Sequence, residues 1–132
     1  MSIAYIALGS NLGDRKENLD RALDELKKAG IKVAAVSKYL ESEPYGVTDQ
    51  PKFINGVARV ETNLPPEELL ETMLNIENKM GRVRLRHWGE RNIDLDLLLY
   101  DDVKMQTEKL TLPHPDMQNR DFVMKPLSEV KL

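Results

Sequence analysis

The stretch Ile93–Tyr100, IDLDLLLY, limits more than any other how this chain can fold. A β-strand turns every second side chain to the same face. The stretch therefore predicts a face with Leu95, Leu97 and Leu99 and an opposite face with Asp94, Asp96, Leu98 and Tyr100. Two carboxylates about 6.6 Å apart along one strand can share a cation. Because Asp is unfavourable in strands and neighbouring carboxylates repel each other, the pair predicts something positive beside it.

The segment just upstream carries the complementary charges, namely Arg82, Arg84, Arg86, His87 and Arg91 around Trp88 and Gly89. Carboxylates hold Mg²⁺, and guanidinium groups take phosphate oxygens two at a time, so the combination favours a polyphosphate site. Taken alone, the aspartate pair is as typical of a solvent-facing strand as of a metal site. The arginine cluster alone is as typical of a solvated loop as of a phosphate site. A surface strand needs no pair of in-phase acids followed by leucines, and this favours the metal–phosphate interpretation.

Composition narrows the function classes. The chain has 132 residues and 41% hydrophobic content, which predicts one domain over residues 1–132. It has no cysteine, so a disulfide scaffold and a Cys-ligated zinc site are excluded. The start MSIAYIALGS lacks a basic region and a long apolar run, and we expect a cytoplasmic protein. A net charge of −3 argues against a general nucleic-acid or membrane binder.

The order of predicted elements indicates an α+β fold. Hydrophobic periodicity and turn residues predict strand Ile3–Leu8, helix Arg15–Ala29 with Asp14 as cap and Gly30 as stop, strand Lys32–Leu40, strand Phe53–Thr62, a helix from Pro65 to Gly81, strand Ile93–Tyr100, and a hairpin of Val103–Met105 and Lys109–Leu112. This is the βαββαβ order of ferredoxin-like folds, with an extra C-terminal hairpin. It predicts an antiparallel sheet with both helices on one face and the other face open. A short apolar tail is expected after the loop Pro113–Arg120.

Several motifs leave alternatives open. Phe53 and Asn55 share a strand face and could bind a flat heterocycle, although their spacing alone favours a core Phe and a turn-satisfying Asn. Glu77 opposes the helix dipole in the last turn of its helix, which hints at a use, although a surface Glu is common. The segment GSNLG is neither a Walker A loop nor GxGxxG, and a plain turn fits it as well as a site does. The second helix has a predicted apolar stripe of Leu69, Leu70, Met73, Leu74, Ile76 and Met80.

Four segments together resemble one known family. They are AYIALGSNLGDR, YGVTDQPKFINGV, GRVR with HWGERNIDLDLLLYDD, and LPHPDMQNRDFVMKPL. In this order they resemble the 6-hydroxymethyl-7,8-dihydropterin pyrophosphokinases of folate biosynthesis, which transfer pyrophosphate from ATP to a pterin alcohol. The resemblance covers nearly the whole chain and implies a ferredoxin-like fold.

The resemblance also implies roles for individual residues. Asp94 and Asp96 would hold two Mg²⁺ ions on ATP, and Arg82 and Arg91 would be catalytic. The pterin would contact Ser42, Pro44, Tyr45, Phe53, Asn55, Asp94 and Phe122. ATP would contact Glu77, Arg84, Trp88, Arg91, Leu97, Thr111, His114 and Arg120.

The implied reaction is in-line attack of the pterin hydroxyl on the β-phosphorus of ATP, with AMP as the leaving group. The expected partners are these two small molecules, with no nucleic acid and no membrane, and a monomer is expected. The chain departs from the family in having Glu90 where a proline is usual, and in a short C-terminus. The alternative function is a ferredoxin-like nucleotide-binding regulatory module without turnover. Pterin-dependent AMP release would distinguish the enzyme from such a module.

Overall fold

The computed structural model describes residues 1–43, 49–81 and 92–132. In chain order the elements are β1 (Ser2–Ser10), α1 (Arg15–Lys28), β2 (Lys32–Val36), β3 (Leu40–Ser42), β4 (Phe53–Thr62), α2 (Pro66–Lys79), β5 (Asp94–Tyr100), β6 (Met105–Gln106), β7 (Thr111–Leu112), a 3₁₀ turn (Met117–Asn119) and α3 (Asp121–Val130). Among the helices described, none has the length and apolarity that crossing a membrane requires.

The main sheet is antiparallel throughout, with the order β2-β4-β1-β5 and β3 paired to β4. Strand β1 is central, because it is the most continuously apolar segment and pairs with both β4 and β5. A mixed α+β structure with an antiparallel sheet was predicted and is confirmed, and this arrangement is compatible with a ferredoxin-like fold.

Helices α1 and α2 pack on one face of the sheet. Asp14 caps α1 as predicted, because its carboxylate accepts a hydrogen bond of 3.1 Å from the Glu17 N–H. Gly30, with φ of +85°, ends that helix in a backbone conformation that other residues avoid. The predicted apolar stripe of α2 packs into the core except for Leu74, which is 47% exposed and lies on the solvent side.

The second face of the sheet is not open, contrary to the prediction. The C-terminal residues form α3 rather than an apolar tail, and Val123, Leu127 and Val130 pack against Tyr5, Val57 and Leu98. Pro126 lies inside this helix. Because proline usually interrupts helices, the sequence pattern does not predict a helix here. Helix α3 therefore covers part of this face and leaves a cavity beside its first turn.

The predicted strand Lys32–Leu40 ends early: β2 stops at Val36, and a separate strand, β3, begins at Leu40 and continues to Ser42. β2 and β3 pair with different parts of the same edge of β4. Between them the Ser37 N–H donates to the Val57 carbonyl, and the Ser37 hydroxyl accepts from the Val57 N–H, both at 2.9 Å. A side chain thus takes over where the backbone ladder is interrupted.

Strand β5 contains a bulge that the predicted alternation did not include. Leu97 pairs with Ile6 and Leu99 with Tyr5, so Leu98 is an extra residue. Beyond it the faces are exchanged relative to the prediction. Leu99 packs on the α3 side with Leu98, and Tyr100 joins the core under α1 and α2. Upstream of the bulge the predicted faces hold.

Candidate functional site

A cavity, here called the inner cavity, opens on the α3 side of the sheet. It has a volume of about 620 Å³ including its open mouth. Its wall consists of Ala7, Leu8, Gly9, Ser42, Glu43, Phe53, Asn55, Gly56, Asp94, Asp96, Arg120, Phe122 and Val123. All the described members of the predicted pterin set are among these residues.

Strand register explains why a cavity exists here. Gly9 pairs with Asn55 on one side and Asp94 on the other, so these three residues form one row across the sheet. The next row on the same face has Ala7 between its neighbours in β4 and β5. Because the central strand contributes only a glycine and an alanine, larger side chains on both sides surround an empty space. A Cβ added at Gly9 would lie 3.3 Å from Asn55 Oδ1 and 3.7 Å from the Phe53 ring.

The amide of Asn55 is held in one orientation. Its Nδ2 donates to the Leu40 carbonyl at 3.2 Å and to the Ser42 hydroxyl at 2.7 Å, and the side chain is buried. With Nδ2 directed at β3, Oδ1 lies toward the space above Gly9. The inner cavity therefore has an oriented hydrogen-bond acceptor at its floor.

The first turn of α3 supplies the opposite wall. The ring of Phe122 is half-buried, and the guanidinium carbon of Arg120 lies 5.8 Å from its centre. Arg120 also forms an ion pair of 3.9 Å with Asp116. The structure thus brings Phe53 and Phe122 to one cavity, and Arg120 lines this cavity too.

A second depression, here called the outer cleft, lies over the sheet edge at β5. Its wall consists of Leu70, Leu95, Asp96, Leu97, Thr107, Glu108, Lys109, Leu110, Thr111, His114 and Pro115. Three of the predicted ATP residues, Leu97, Thr111 and His114, meet in this cleft. The lining combines leucines with polar and charged side chains, which would suit a ligand with a flat apolar part and a charged part.

Asp96 lines both depressions, and Asp94 lines the inner cavity. Both aspartates are half-buried and lie on the same face of β5. Within the described ranges there is no group of three or more acidic or histidine side chains that could hold a metal ion. Two carboxylates fit Mg²⁺ that takes its other ligands from substrate phosphates and water, which is its usual coordination in nucleotide enzymes.

His114 lies at the junction of the cleft with β5. The backbone N–H of His114 donates to the Leu98 carbonyl at 3.0 Å, and the ring Nδ1 accepts from the backbone N–H of Asp116 at 3.3 Å. Burial lowers the pKa of His114, the Arg120 guanidinium lowers it further, and the carboxylates of Asp116 and Asp94 oppose the shift. A neutral ring that accepts at Nδ1 carries its hydrogen on Nε2, so His114 offers a donor to a ligand.

Glu77 is not among the described residues that line the inner cavity or the outer cleft. The side chain is 2% exposed, which excludes the ordinary surface Glu considered from the sequence. Its Oε2 accepts a hydrogen bond of 2.8 Å from the Leu95 N–H. Among the described strands β5 lies at the sheet edge, so this carboxylate satisfies a backbone donor on the side where no described strand pairs.

The predicted residues Pro44, Tyr45, Arg82, Arg84, Trp88 and Arg91 lie outside the described residues. The described residues on either side of segment 82–91 are hydrogen-bonded to each other. Asn92 Nδ2 donates to the carbonyls of Met80 at 2.9 Å and Gly81 at 3.3 Å. Asn92 precedes Asp94 by two residues.

Sequence reasoning missed several residues of the site. Gly9 and Ala7 were assigned only to a buried strand and its turn, although a glycine and an alanine opposite the aspartates are a signal once the register is known. Leu70 was assigned only to an apolar stripe, and it lines the outer cleft. Val123 was hidden in the predicted tail.

The chain is similar to known proteins over nearly its whole length. Residues 5–132 match the family described as 7,8-dihydro-6-hydroxymethylpterin-pyrophosphokinase. The 2-amino-4-hydroxy-6-hydroxymethyldihydropteridine pyrophosphokinase of Haemophilus influenzae is 49% identical over 98% of this chain and 82% of its own length. The protein of the same name from Bacillus subtilis is 46% identical over 98% of this chain and 78% of its own. The one from Pseudomonas aeruginosa is 43% identical over 96% and 78%. The chain belongs to the 7,8-dihydro-6-hydroxymethylpterin-pyrophosphokinase family.

Proposed function

We propose that the inner cavity binds the pterin, the outer cleft binds ATP, and Asp96 marks the point where the two substrates meet. The reaction is the family's transfer of pyrophosphate from ATP to 6-hydroxymethyl-7,8-dihydropterin. The observation that carries this assignment is that Asp96 lines both depressions, whereas each of the other described lining residues lines one of them. A group transferred between two ligands has to pass such a junction.

The described residues would bind the pterin by stacking and by hydrogen bonding. Phe53 and Phe122 offer two aromatic rings to a flat bicyclic ligand, and such ring pairs contribute about 0.5–1.5 kcal/mol beyond buried area. Asn55 Oδ1, held by the two bonds of its Nδ2, would accept from an N–H of the pterin edge. Ser42 belongs to the same network through its hydroxyl.

The chemistry is attack of the pterin hydroxyl oxygen on the β-phosphorus. A new O–P bond forms, the bond from the β-phosphorus to the oxygen bridging it to the α-phosphorus breaks, and AMP leaves as the hydroxyl proton is released. Positioning and charge neutralisation supply most of the rate in phosphoryl transfer. Asp94 and Asp96 would hold two Mg²⁺ ions, which when bound supply positive charge to the phosphate oxygens. His114 and Arg120 would add a hydrogen-bond donor and a positive charge.

Arg82 and Arg91 are proposed to neutralise charge during transfer, with Arg84 and Trp88 as ATP contacts and Pro44 and Tyr45 as pterin contacts. These roles rest on the sequence pattern and on the family. The flanking residues support the first part, since Asn92 donates a hydrogen bond to the Gly81 carbonyl and precedes Asp94 by only two residues. The β6–β7 pair is proposed to be the extra hairpin of the ferredoxin-like fold. The monomer, the cytoplasmic location and the single domain stay predictions.

The test is AMP release in a coupled assay containing Mg²⁺, ATP and the pterin alcohol, with each component omitted in turn. We expect AMP only when all three are present. Family membership favours an enzyme over a non-catalytic nucleotide-binding module. ATP binding without pterin-dependent AMP release would instead support the module.

A further inference from the structure

Asn11 lies in the turn after β1, which the sequence left as either a plain turn or a functional one. Its side chain is only 1% exposed. The Nδ2 group donates to Gln50 Oε1 at 2.8 Å and to the Pro51 carbonyl at 3.0 Å. These bonds connect segments 39 and 40 residues apart. A buried amide is costly unless it is hydrogen-bonded, so the pairing fixes both segments.

Arg15 makes a parallel attachment at the surface. Its Nη1 donates to the Lys52 carbonyl at 2.8 Å and contacts Glu41 Oε2 at 3.2 Å. Residues 50, 51 and 52 are therefore each held by the region between β1 and the start of α1. The buried attachment through Asn11 is shielded from solvent, whereas the one through Arg15 is partly exposed.

Phe53 follows directly after these three residues and lines the inner cavity. Its ring lies 3.7 Å from the position that a Gly9 Cβ would occupy. The same stretch of chain thus does two things. Gly9 leaves room beside the ring, and Asn11, two residues later, holds the backbone that leads into Phe53.

We infer that Asn11 is a positioning residue for the pterin site, acting on the aromatic wall at Phe53 through Gln50 and Pro51. The inference rests on the proposed function, which assigns the pterin to the inner cavity. Asn11 itself does not line that cavity, so its effect has to pass through the backbone it holds. The consequence is selective: pterin binding depends on Asn11 and ATP binding does not.

The test is Asn11→Asp, which keeps the size of the side chain, removes the N–H donors and sets a carboxylate oxygen against the Pro51 carbonyl. We expect the KM for the pterin alcohol to rise about ten-fold, equivalent to about 1.4 kcal/mol. We expect kcat and the KM for ATP to stay within about two-fold of the original values. The matched control is Asn63→Asp, the same chemical change at an exposed asparagine after β4, which should change none of the three.

A second variant guards against misfolding. Arg15→Ala removes the surface attachment without placing a charge in the interior, and it should raise the pterin KM in the same direction by a smaller factor. The inference is overturned if the pterin KM is unchanged in folded Asn11→Asp protein. It is also overturned if kcat and both KM values change together, since that indicates general damage to the fold.

Amide hydrogen exchange separates this inference from the proposed function. Asn11→Asp, but not Asn63→Asp, should accelerate exchange at residues 52–54, whether or not the protein turns over. If the original protein releases no AMP with the pterin alcohol, the proposed function fails, and faster exchange at these residues still supports Asn11 as their anchor. Unchanged exchange at residues 52–54 contradicts that role.

Discussion

The inner cavity and the outer cleft share Asp96, yet they are built in different ways. The inner cavity lies over three paired strands, and small residues on the central strand create its space. The outer cleft lies at a sheet edge and is completed by residues 107–110 of the turn between β6 and β7, among them the exposed Glu108 and Lys109, and by Thr111 of β7. From this difference we expect the proposed pterin site to be shaped by strand pairing before its ligand binds, and the proposed ATP site to depend more on charge.

The largest effect is expected at the junction. Asp94→Asn and Asp96→Asn keep the side-chain shape and remove the charge, so turnover should fall on the order of 10³-fold, the upper range for one electrostatic group. Removal of one of two mutually repelling carboxylates should not destabilise the protein. AMP release with Mg²⁺ measures the loss, and Asp102→Asn at an exposed position is the control. Near-normal activity in either variant would contradict the assignment of Asp94 and Asp96 as metal ligands.

The next-largest effect is expected at Glu77, whose carboxylate accepts the hydrogen bond from the Leu95 N–H of β5. Glu77→Ala leaves the Leu95 N–H without its acceptor, and the loss of such a buried partner costs about 1–3 kcal/mol of unfolding free energy. Glu77→Gln retains an acceptor oxygen and should lose less. Urea unfolding measures both variants. A large loss of ATP affinity with unchanged stability would favour the predicted direct ATP contact over the structural role.

A pair of substitutions tests the division of ligands directly. Phe122→Ala should weaken pterin binding roughly two- to twelve-fold beyond the effect of lost area, because a stacked ring is removed. ATP binding should change little. His114→Ala should do the reverse, since His114 lines only the outer cleft of the two. Direct binding measurements with each ligand test this. If either variant weakens pterin binding and ATP binding equally, the division into two sites is wrong.

The smallest effect concerns pH. The pKa of His114 is lowered in the folded protein by burial and by Arg120, so between that pKa and about 6.5 the unfolded chain binds more protons. Stability should therefore fall as the pH is lowered from 7 toward 5. Replacement His114→Gln should reduce this fall. Thermal unfolding across this pH range would detect it, and identical pH dependence in both proteins would show that His114 contributes nothing.

Local pattern was sufficient for some features and not for others. Alternation in β4 and in the first half of β5 placed Asn55, Asp94 and Asp96 on the face where the cavity lies. The run of three leucines carries no signal for where an extra residue interrupts the alternation, so the bulge at Leu98 was missed. The burial of Asn11 depends on Gln50, which is 39 residues away, and no local pattern reports such a contact.

The bulge in β5 also determines where this strand tolerates a change in chain length. Leu98 is the extra residue between two regularly paired segments. Deleting it would leave Leu97 opposite Ile6 and Leu99 opposite Tyr5, with every remaining side chain on its present face. Deleting a residue between Asp94 and Leu97 would instead turn an aspartate toward the core. A homologous sequence that lacks one residue of this strand therefore keeps the site if the missing residue is Leu98. It loses the site if the missing residue lies between Asp94 and Leu97.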